Sequence, residues 1–361
     1  MMEAFSCKTK IIAGTGSISA LAELRPQRLL LVTDPYFSKN GAARHVAEAA
    51  KAEAYEIFDG VMPDPTVELA AKGAARVREF RPDLIVALGG GSAMDCAKAM
   101  AYFGGGCYRL AAIPTTSGSG SEVTDFAILT HNGVKHPLVD EKLRPDLAIL
   151  DDSLLQGLPK SLIADSGFDV LAHALEACGG TNSSPFTDCL ARESFRMAFS
   201  SLPKSFSGDK SVRLGMHKAA TMAGLAFSQA GLGICHALSH ALGGAFHVPH
   251  GRLNAILLPA VLETNAPAAL PKYAALARQA GFTASSDAMA VRSLKNGLVG
   301  LRRELELPQT LQQAGVDLKQ LRAQEQQIIT AALEDPCCAT NPVKPEAHML
   351  RSILSQVSGR G

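Results

Sequence analysis

Four short apolar runs, Leu29–Val32, Leu84–Leu88, Ala111–Ile113 and Leu147–Leu150, all fall before residue 151, and the strand signal disappears beyond Pro159. That asymmetry is the strongest constraint on the fold. A run of three to five apolar residues without polar alternation suits a strand covered on both faces, as in a parallel sheet flanked by helices. Between the runs, Ala42–Ala54 and Thr66–Phe80 are rich in Ala, Glu, Lys and Arg, and Thr66 follows a Pro-Asp-Pro turn as an N-cap, so both segments are expected to be helical. The first part of the chain thus reads as βαβ units around a mainly parallel sheet. After it come long helical stretches broken by Gly and Pro. The expectation is an α/β unit over 1–158 and an all-α unit over 159–361, a natural division for 361 residues.

Charge removes two classes of partner. Lys and Arg number 35 against 34 Asp and Glu, which leaves no basic excess for nucleic acid or an anionic membrane surface. No apolar stretch approaches the roughly 20 residues needed to span a bilayer. The start Met1-Met2-Glu3-Ala4-Phe5-Ser6 lacks the basic-then-apolar order of a signal peptide, so a cytoplasmic location is expected. The eight cysteines are scattered, and the only close pair, Cys337-Cys338, is adjacent; neither a zinc knuckle nor a disulfide framework is indicated.

Two loops carry phosphate-binding chemistry. Asp83–Lys98 reads as a strand, the turn Gly89-Gly90-Gly91-Ser92 and a helix start, where glycines admit a ligand close to the backbone and free N–H groups attract a pyrophosphate. An ordinary tight turn between strand and helix is the competing reading. Pro114–Thr124 follows another strand and presents several hydroxyls, which suits phosphate and ribose contacts at a sheet's carboxyl edge; a solvated Ser/Gly loop is the alternative. Asp34 closes the first strong apolar run, where doubly wound folds place an acid for ribose hydroxyls. That placement favours NAD over NADP, and an Asp-Pro turn is the other reading.

The helical part concentrates metal-ligand side chains. Asp169 and His173 lie four apart on one predicted helix, and His236 and His240 lie four apart on a second, which is expected to end at Gly243-Gly244; each pair faces one way, about 6 Å apart. His250 follows in a Val-Pro-His-Gly turn. Six of the ten histidines fall between positions 173 and 250. A carboxylate with imidazoles and no thiolate makes a site of borderline hardness, open to Fe(II), Zn(II), Co(II) or Ni(II). A divalent ion there would polarise a substrate oxygen during hydride transfer.

With Gly89-Gly90-Gly91-Ser92, Asp95, Lys98, Pro114-Thr115-Thr116, Gly120–Thr124, Gly167-Phe168-Asp169, His173–Glu176 and His247–Gly251 in view, the chain resembles the iron-containing, or group III, alcohol dehydrogenases over essentially its whole length. Within that family it looks most like the propanol dehydrogenases of bacterial microcompartment operons. The resemblance implies a dehydroquinate-synthase-like fold, an N-terminal dinucleotide-binding domain, a helical C-terminal domain and an active site between them. It implies metal ligation by Asp169, His173, His236 and His250, with Fe(II) or Zn(II) bound. His240 becomes the residue of proton transfer or orientation, and His247 is left as structural. NAD(H) contacts fall on Asp34, Gly90, Gly91, Ser92, Asp95, Thr115, Thr116, Ser119, Thr124 and Lys135, the last in a predicted strand. Phe227 and Cys337 line the substrate pocket; core packing is the plainer role for both. Pro336 and Cys338 depart from the family pattern and bear on substrate preference. The resemblance also implies a homo-oligomer and, for a microcompartment relative, encapsulation with other enzymes or shell proteins.

The expected reaction interconverts a short-chain aldehyde and its primary alcohol with NADH and NAD. Two rivals share the fold. A dehydroquinate-synthase-like lyase needs basic residues for a phosphorylated anionic substrate, and near the ligands only Arg252 stands out. A non-catalytic nucleotide- or metal-binding protein would not need all four ligand positions filled.

Overall fold

The computed structural model describes residues 5–106, 108–132 and 134–359. Cys107 lies outside the described residues. The chain divides into two compact units: Ser6–Leu158, and the chain from Pro159 onward together with Phe5.

The first unit holds eight strands among the described residues: β1 (Lys10–Ala13), β2 (Arg28–Val32), β3 (Ala54–Phe58), β4 (Leu84–Gly89), β5 (Arg109–Pro114), β6 (Phe126–His131), β7 (Val134–Val139) and β8 (Leu147–Leu150). Six form a parallel sheet in the order β1-β8-β5-β4-β2-β3, and β6 and β7 pair antiparallel in a separate hairpin. Its helices are α1 (Pro35–Lys39), α2 (Ala42–Ala49), α3 (Val67–Phe80) and α4 (Gly91–Gly104).

The strands read from the sequence are apolar at every position because both faces are covered. Leu29, Leu31, Leu84, Val86 and Leu88 pack with Ala43, Val46 and Ala47 of α2. The alternate residues Leu30, Val32, Ile85 and Ala87 pack on the other face with Val77 of α3 and Ala93, Met94, Ala97 and Met100 of α4. Each fully buried Leu or Ile contributes about 1.5–3 kcal/mol. The chain steps from β2 outward to β3, then returns across β2 to β4, so the sheet reverses direction between β2 and β4. Doubly wound sheets bind ligands outside the strand ends at such a reversal.

Three boundaries differ from expectation. The helix expected over Ala42–Ala54 stops at Ala49, because Lys51 takes a left-handed φ of 53° and Ala54 opens β3. The helix begun at Ile234 runs through Gly243-Gly244 to Phe246, where His247, at φ 55°, ends it. His250 is not in a free turn: it is the first residue of a helix capped by Pro249.

Beyond Pro159 the described residues hold no strand. The helices are α5 (Lys160–Gly179), α6 (Pro185–Ser207), α7 (Arg213–Ala230), α8 (Ile234–Phe246), α9 (His250–Gln279), α10 (Asp287–Glu304), α11 (Leu318–Glu334) and α12 (Ala347–Ser358). α9 corrects the reading that no stretch is long and apolar enough to span a bilayer: by length and composition it is, with a mean hydropathy of 1.2 over its most apolar window. That window is 67% buried within the unit, where α9 packs against α5 and α10, and its helix is interrupted at Ala269.

α9 comes close to α5 at Gly251, where a Cβ would lie 2.0 Å from the main-chain oxygen of Asp165. Backbone cannot swing aside as a side chain can. Gly251→Ala should therefore lower the unfolding free energy by about 3 kcal/mol, read as a shift of the urea midpoint at constant slope.

Candidate active site

In the α/β unit Asp34, Gly90, Gly91, Thr115, Thr116 and Ser119 gather where the sheet reverses. Asp34 follows β2 and caps α1, its Oδ1 accepting from the N–H of Tyr36 at 2.8 Å and of Phe37 at 3.1 Å. Gly89 ends β4 at φ 149°; a Cβ there would lie 2.6 Å from that of Ala93 and 3.9 Å from Asp34 Oδ2. The acid and the glycine turn are thus neighbours. Gly90 starts α4 without a side-chain cap, which leaves the first-turn N–H groups for an anionic ligand. Over this turn lie the hydroxyl groups of Thr116 and Ser119, 3.3 Å and 3.5 Å from where a Cβ on Gly90 and on Gly91 would stand. Thr115 fixes the two strand ends together, its N–H donating to Gly89 O at 2.9 Å.

Asp95 and Thr124 face inward, onto Lys98. This lysine is 1% exposed and donates to Ser121 Oγ, Thr124 O and Thr124 Oγ1 at 3.0 Å and to Phe126 O at 2.9 Å. Asp95 accepts from Ser121 Oγ at 2.9 Å and from the N–H of Ile128 at 3.1 Å. Burial lowers the Lys98 ammonium to about 8, opposed by the charge of Asp95. The pair pins the hydroxyl-rich loop to α4. Lys135 sits on the exposed strand β7, its ammonium 2.6 Å from Asp64 Oδ1.

In the helical unit, α5 places Asp169, His173 and Glu176 on one stripe, α8 supplies His236 and His240, and α9 supplies His250 in its first turn. From Asp169 Oδ1 the imidazole Nε2 atoms lie at 3.4 Å (His250), 3.6 Å (His236) and 3.9 Å (His173). Donors at about 2.1 Å around a tetrahedral ion stand about 3.4 Å apart; Asp169, His173 and His236 form a mutually close set that could hold one divalent metal, with His250 beside Asp169. Burial alone would raise Asp169; the imidazoles of His173, His250 and His236 hold its carboxyl well below the usual range. Burial lowers His173 to about 4, a neutral ring ready to ligate.

Two further residues fix these donors. Glu176 is 2% exposed and reaches the N-terminus of α8, accepting from the N–H of Gly233 at 3.0 Å and of Cys235 at 2.7 Å. Its Oε2 also lies 2.6 Å from His236 Nδ1, and since a carboxylate only accepts, Nδ1 donates, so Nε2 is the nitrogen that would face an ion, in exchange for its own proton. Burial opposes charge on His236, and Asp169 and Glu176 outweigh it, pushing the ring up to about 9. Asn254, four residues after His250, donates to Asp169 Oδ1 at 2.7 Å while its own carbonyl accepts from Ser239 Oγ at 2.5 Å.

The remaining sequence-derived residues border this cluster. Phe227 stacks on His173 at 4.4 Å between ring centroids. His240 stacks on His250 at 5.1 Å, and its Nδ1 meets Asp335 Oδ2 at 2.8 Å. Cys337 donates its N–H to the other oxygen of Asp335 at 2.8 Å, and burial together with Asp335 pushes its thiol up, so it is neutral. Arg252 is held in a fork by Asp165, at 3.2 Å and 3.0 Å. Sequence reasoning missed Glu176, Asn254, Asp335 and Lys98 as site residues. Helical spacing points to the first two, three residues after His173 and four after His250; Asp335, 95 residues from His240, leaves no such trace.

Residues 8–152 match the model of iron-containing alcohol dehydrogenases, and residues 163–358 match that of the C-terminal part of the Fe-containing alcohol dehydrogenase family. The chain belongs to the iron-containing alcohol dehydrogenase family. It is an oxidoreductase that interconverts alcohols and aldehydes. The 1-propanol dehydrogenase PduQ of Citrobacter freundii is 38% identical over 370 aligned positions, covering 99% of this chain and 100% of the relative. The NADPH-dependent butanol dehydrogenase of Clostridium saccharobutylicum is 37% identical, covering 99% of this chain and 98% of that one. The solved structure of the iron-containing alcohol dehydrogenase from Thermococcus thioreducens has a TM-score of 0.89 at 34% identity, covering 98% of this chain and 99% of that one.

Two substitutions probe these supports. In Glu176→Gln the amide oxygen is drawn to the α8 N–H groups and its NH2 faces His236, moving the ring hydrogen to Nε2; metal affinity in chelator competition should fall about 10- to 100-fold. Lys98→Met leaves four oxygens without their donor. It should cost about 3–5 kcal/mol of stability in urea unfolding and weaken NADH binding by fluorescence titration.

Proposed function

We propose that this enzyme reduces a short-chain aldehyde of the propanal or acetaldehyde type with NADH, and oxidises the corresponding primary alcohol in reverse. One divalent metal, Fe(II) ahead of Zn(II), is held by Asp169, His173, His236 and His250. The observation that carries this reading is the convergence of three imidazole nitrogens within 3.4–3.9 Å of one buried carboxylate oxygen. When bound, the ion polarises the substrate oxygen and the nicotinamide supplies the hydride.

The chain's own groups do the rest. Gly90, Gly91, Ser92, Thr116 and Ser119 hold the pyrophosphate, with Lys98 bracing the loop beneath. Asp34 meets the adenosine ribose; its negative charge repels a 2′-phosphate and supports NAD over NADP, in contrast to the relative named for NADPH. Phe227 gives the pocket an apolar wall that suits a short alkyl chain, and His240 moves the proton. Thr115 and Lys135 remain in the proposed cofactor set, and Cys337 with Phe227 in the substrate pocket. A cytoplasmic homo-oligomer, with a microcompartment lumen as the alternative address, belongs to the same reading and rests on the family resemblance.

The lyase reading is weakened by Arg252, whose guanidinium is already committed to Asp165 rather than free for an anionic substrate.

The test follows NADH absorbance with propanal in metal-stripped enzyme and after anaerobic reloading with Fe(II) or Zn(II). Stripping should abolish turnover and reloading restore it, with NADH preferred over NADPH at least about 10-fold in kcat/KM. Full activity without metal would overturn the reading.

A further inference from the structure

Asp335 ends α11 and caps the short turn Pro336–Thr340, and it is bound at both oxygens. Oδ1 accepts from the N–H of Cys337 and Oδ2 faces His240 Nδ1, each at 2.8 Å, with the side chain 15% exposed. Because the Cys337 N–H is main chain and Pro336 follows directly, this carboxylate has little freedom to turn away. His240 itself is 37% exposed, open to exchange with solvent.

We infer that Asp335 is the positioning residue of the proton step, holding His240 in the tautomer that carries its hydrogen on Nδ1 and leaves Nε2 free to accept and return a proton. The inference rests on the assignment of His240 as the proton-transfer group. In aldehyde reduction the hydride adds to the carbonyl carbon, the oxygen takes the electron pair of the broken π bond, and the Nε2–H of the imidazolium gives that oxygen its proton. The ring is left neutral, its Nδ1–H still on Asp335, and regains a proton from solvent. Alcohol oxidation runs the same path backward. A carboxylate serves both stages because it accepts from Nδ1 throughout and stabilises the imidazolium between them.

An amide at this position has only one arrangement. In Asp335→Asn the carbonyl oxygen must face the Cys337 N–H, so the NH2 faces His240 Nδ1 and drives the ring hydrogen to Nε2. The experiment compares metal-loaded wild type, D335N, His240→Ala and the double variant. D335N should lower kcat for propanal about 10²-fold at unchanged metal stoichiometry and NADH affinity, and the double variant should be no slower than His240→Ala alone. Nitrogen-15 spectra of the Zn(II)-loaded, histidine-labelled proteins, with the His240 signal identified by its loss in His240→Ala, should show Nδ1–H in wild type and Nε2–H in D335N. A wild-type ring with its hydrogen on Nε2, or a D335N kcat within about threefold of wild type, overturns the inference. If D335N does not fold, the wild-type spectrum decides alone. If wild-type enzyme does not consume NADH, the dehydrogenase reading falls instead, and the spectra still decide the tautomer.

Discussion

Asp169 is 9% exposed in the middle of α5, where an uncompensated carboxylate would cost several kcal/mol. The arrangement of three helices answers that charge. α8 brings His236, α9 brings His250 and the amide of Asn254, and α5 itself adds His173 one turn along. Gly251 lets α9 come close enough for this, since any side chain there would meet the backbone of α5. The positions that solve the electrostatic problem are also the ones proposed to hold a cation, with Asp169, His173 and His236 as the closest donors. Fold and site are one construction here, and a change that spoils one damages the other.

The α/β unit meets the same problem with the opposite sign. Lys98 is a buried ammonium whose hydrogens find oxygens on Ser121, Thr124 and Phe126, with the charge of Asp95 alongside. A charge so placed is a poor source of net stability, but it ties a flexible hydroxyl-rich loop to a single place. In that loop Thr116 and Ser119 must stand over the glycine turn with little freedom if they are to meet phosphate oxygens. Local rigidity at the turn is therefore supplied from below, by a residue that need not touch the nucleotide.

What the sequence reveals follows from how far a pattern reaches. Within β2, β4, β5 and β8 the positions buried on both faces are apolar, the only polar ones being Arg28 and Arg109 at strand starts, so these strands are legible, and so is the loss of strands after Pro159. β1 and β3, at the sheet margins, carry polar positions and escape notice, whereas β7 is anticipated only as the strand that holds Lys135. The pairs Asp169/His173 and His236/His240 are legible because four residues make one helical turn. That α8 continues through Gly243-Gly244 is not: glycine lowers helix propensity, yet the helix runs on to Phe246. Nor is the pairing of His236 with Glu176 or of His240 with Asp335 legible, because separations of 60 and 95 residues are bridged only by the packing of whole elements.

His236 and His240 sit one turn apart on α8, and each gives its Nδ1 to a carboxylate, so ligand type does not separate their roles. Burial does. The His236 ring is 1% exposed and Glu176 is equally buried, which leaves Nε2 facing only the donor cluster around Asp169. The His240 ring is 37% exposed, and its partner Asp335 stands on another helix end rather than on α5. A buried ring held at Nδ1 suits a lasting bond to a metal at Nε2, since no water competes for that nitrogen. An equally fixed ring that still reaches water suits the transient bond to a proton, which must leave and return at every turnover. In the proposed reaction the same carboxylate–imidazole pairing, repeated one turn along a helix, would then serve as a ligand at one end and a proton carrier at the other.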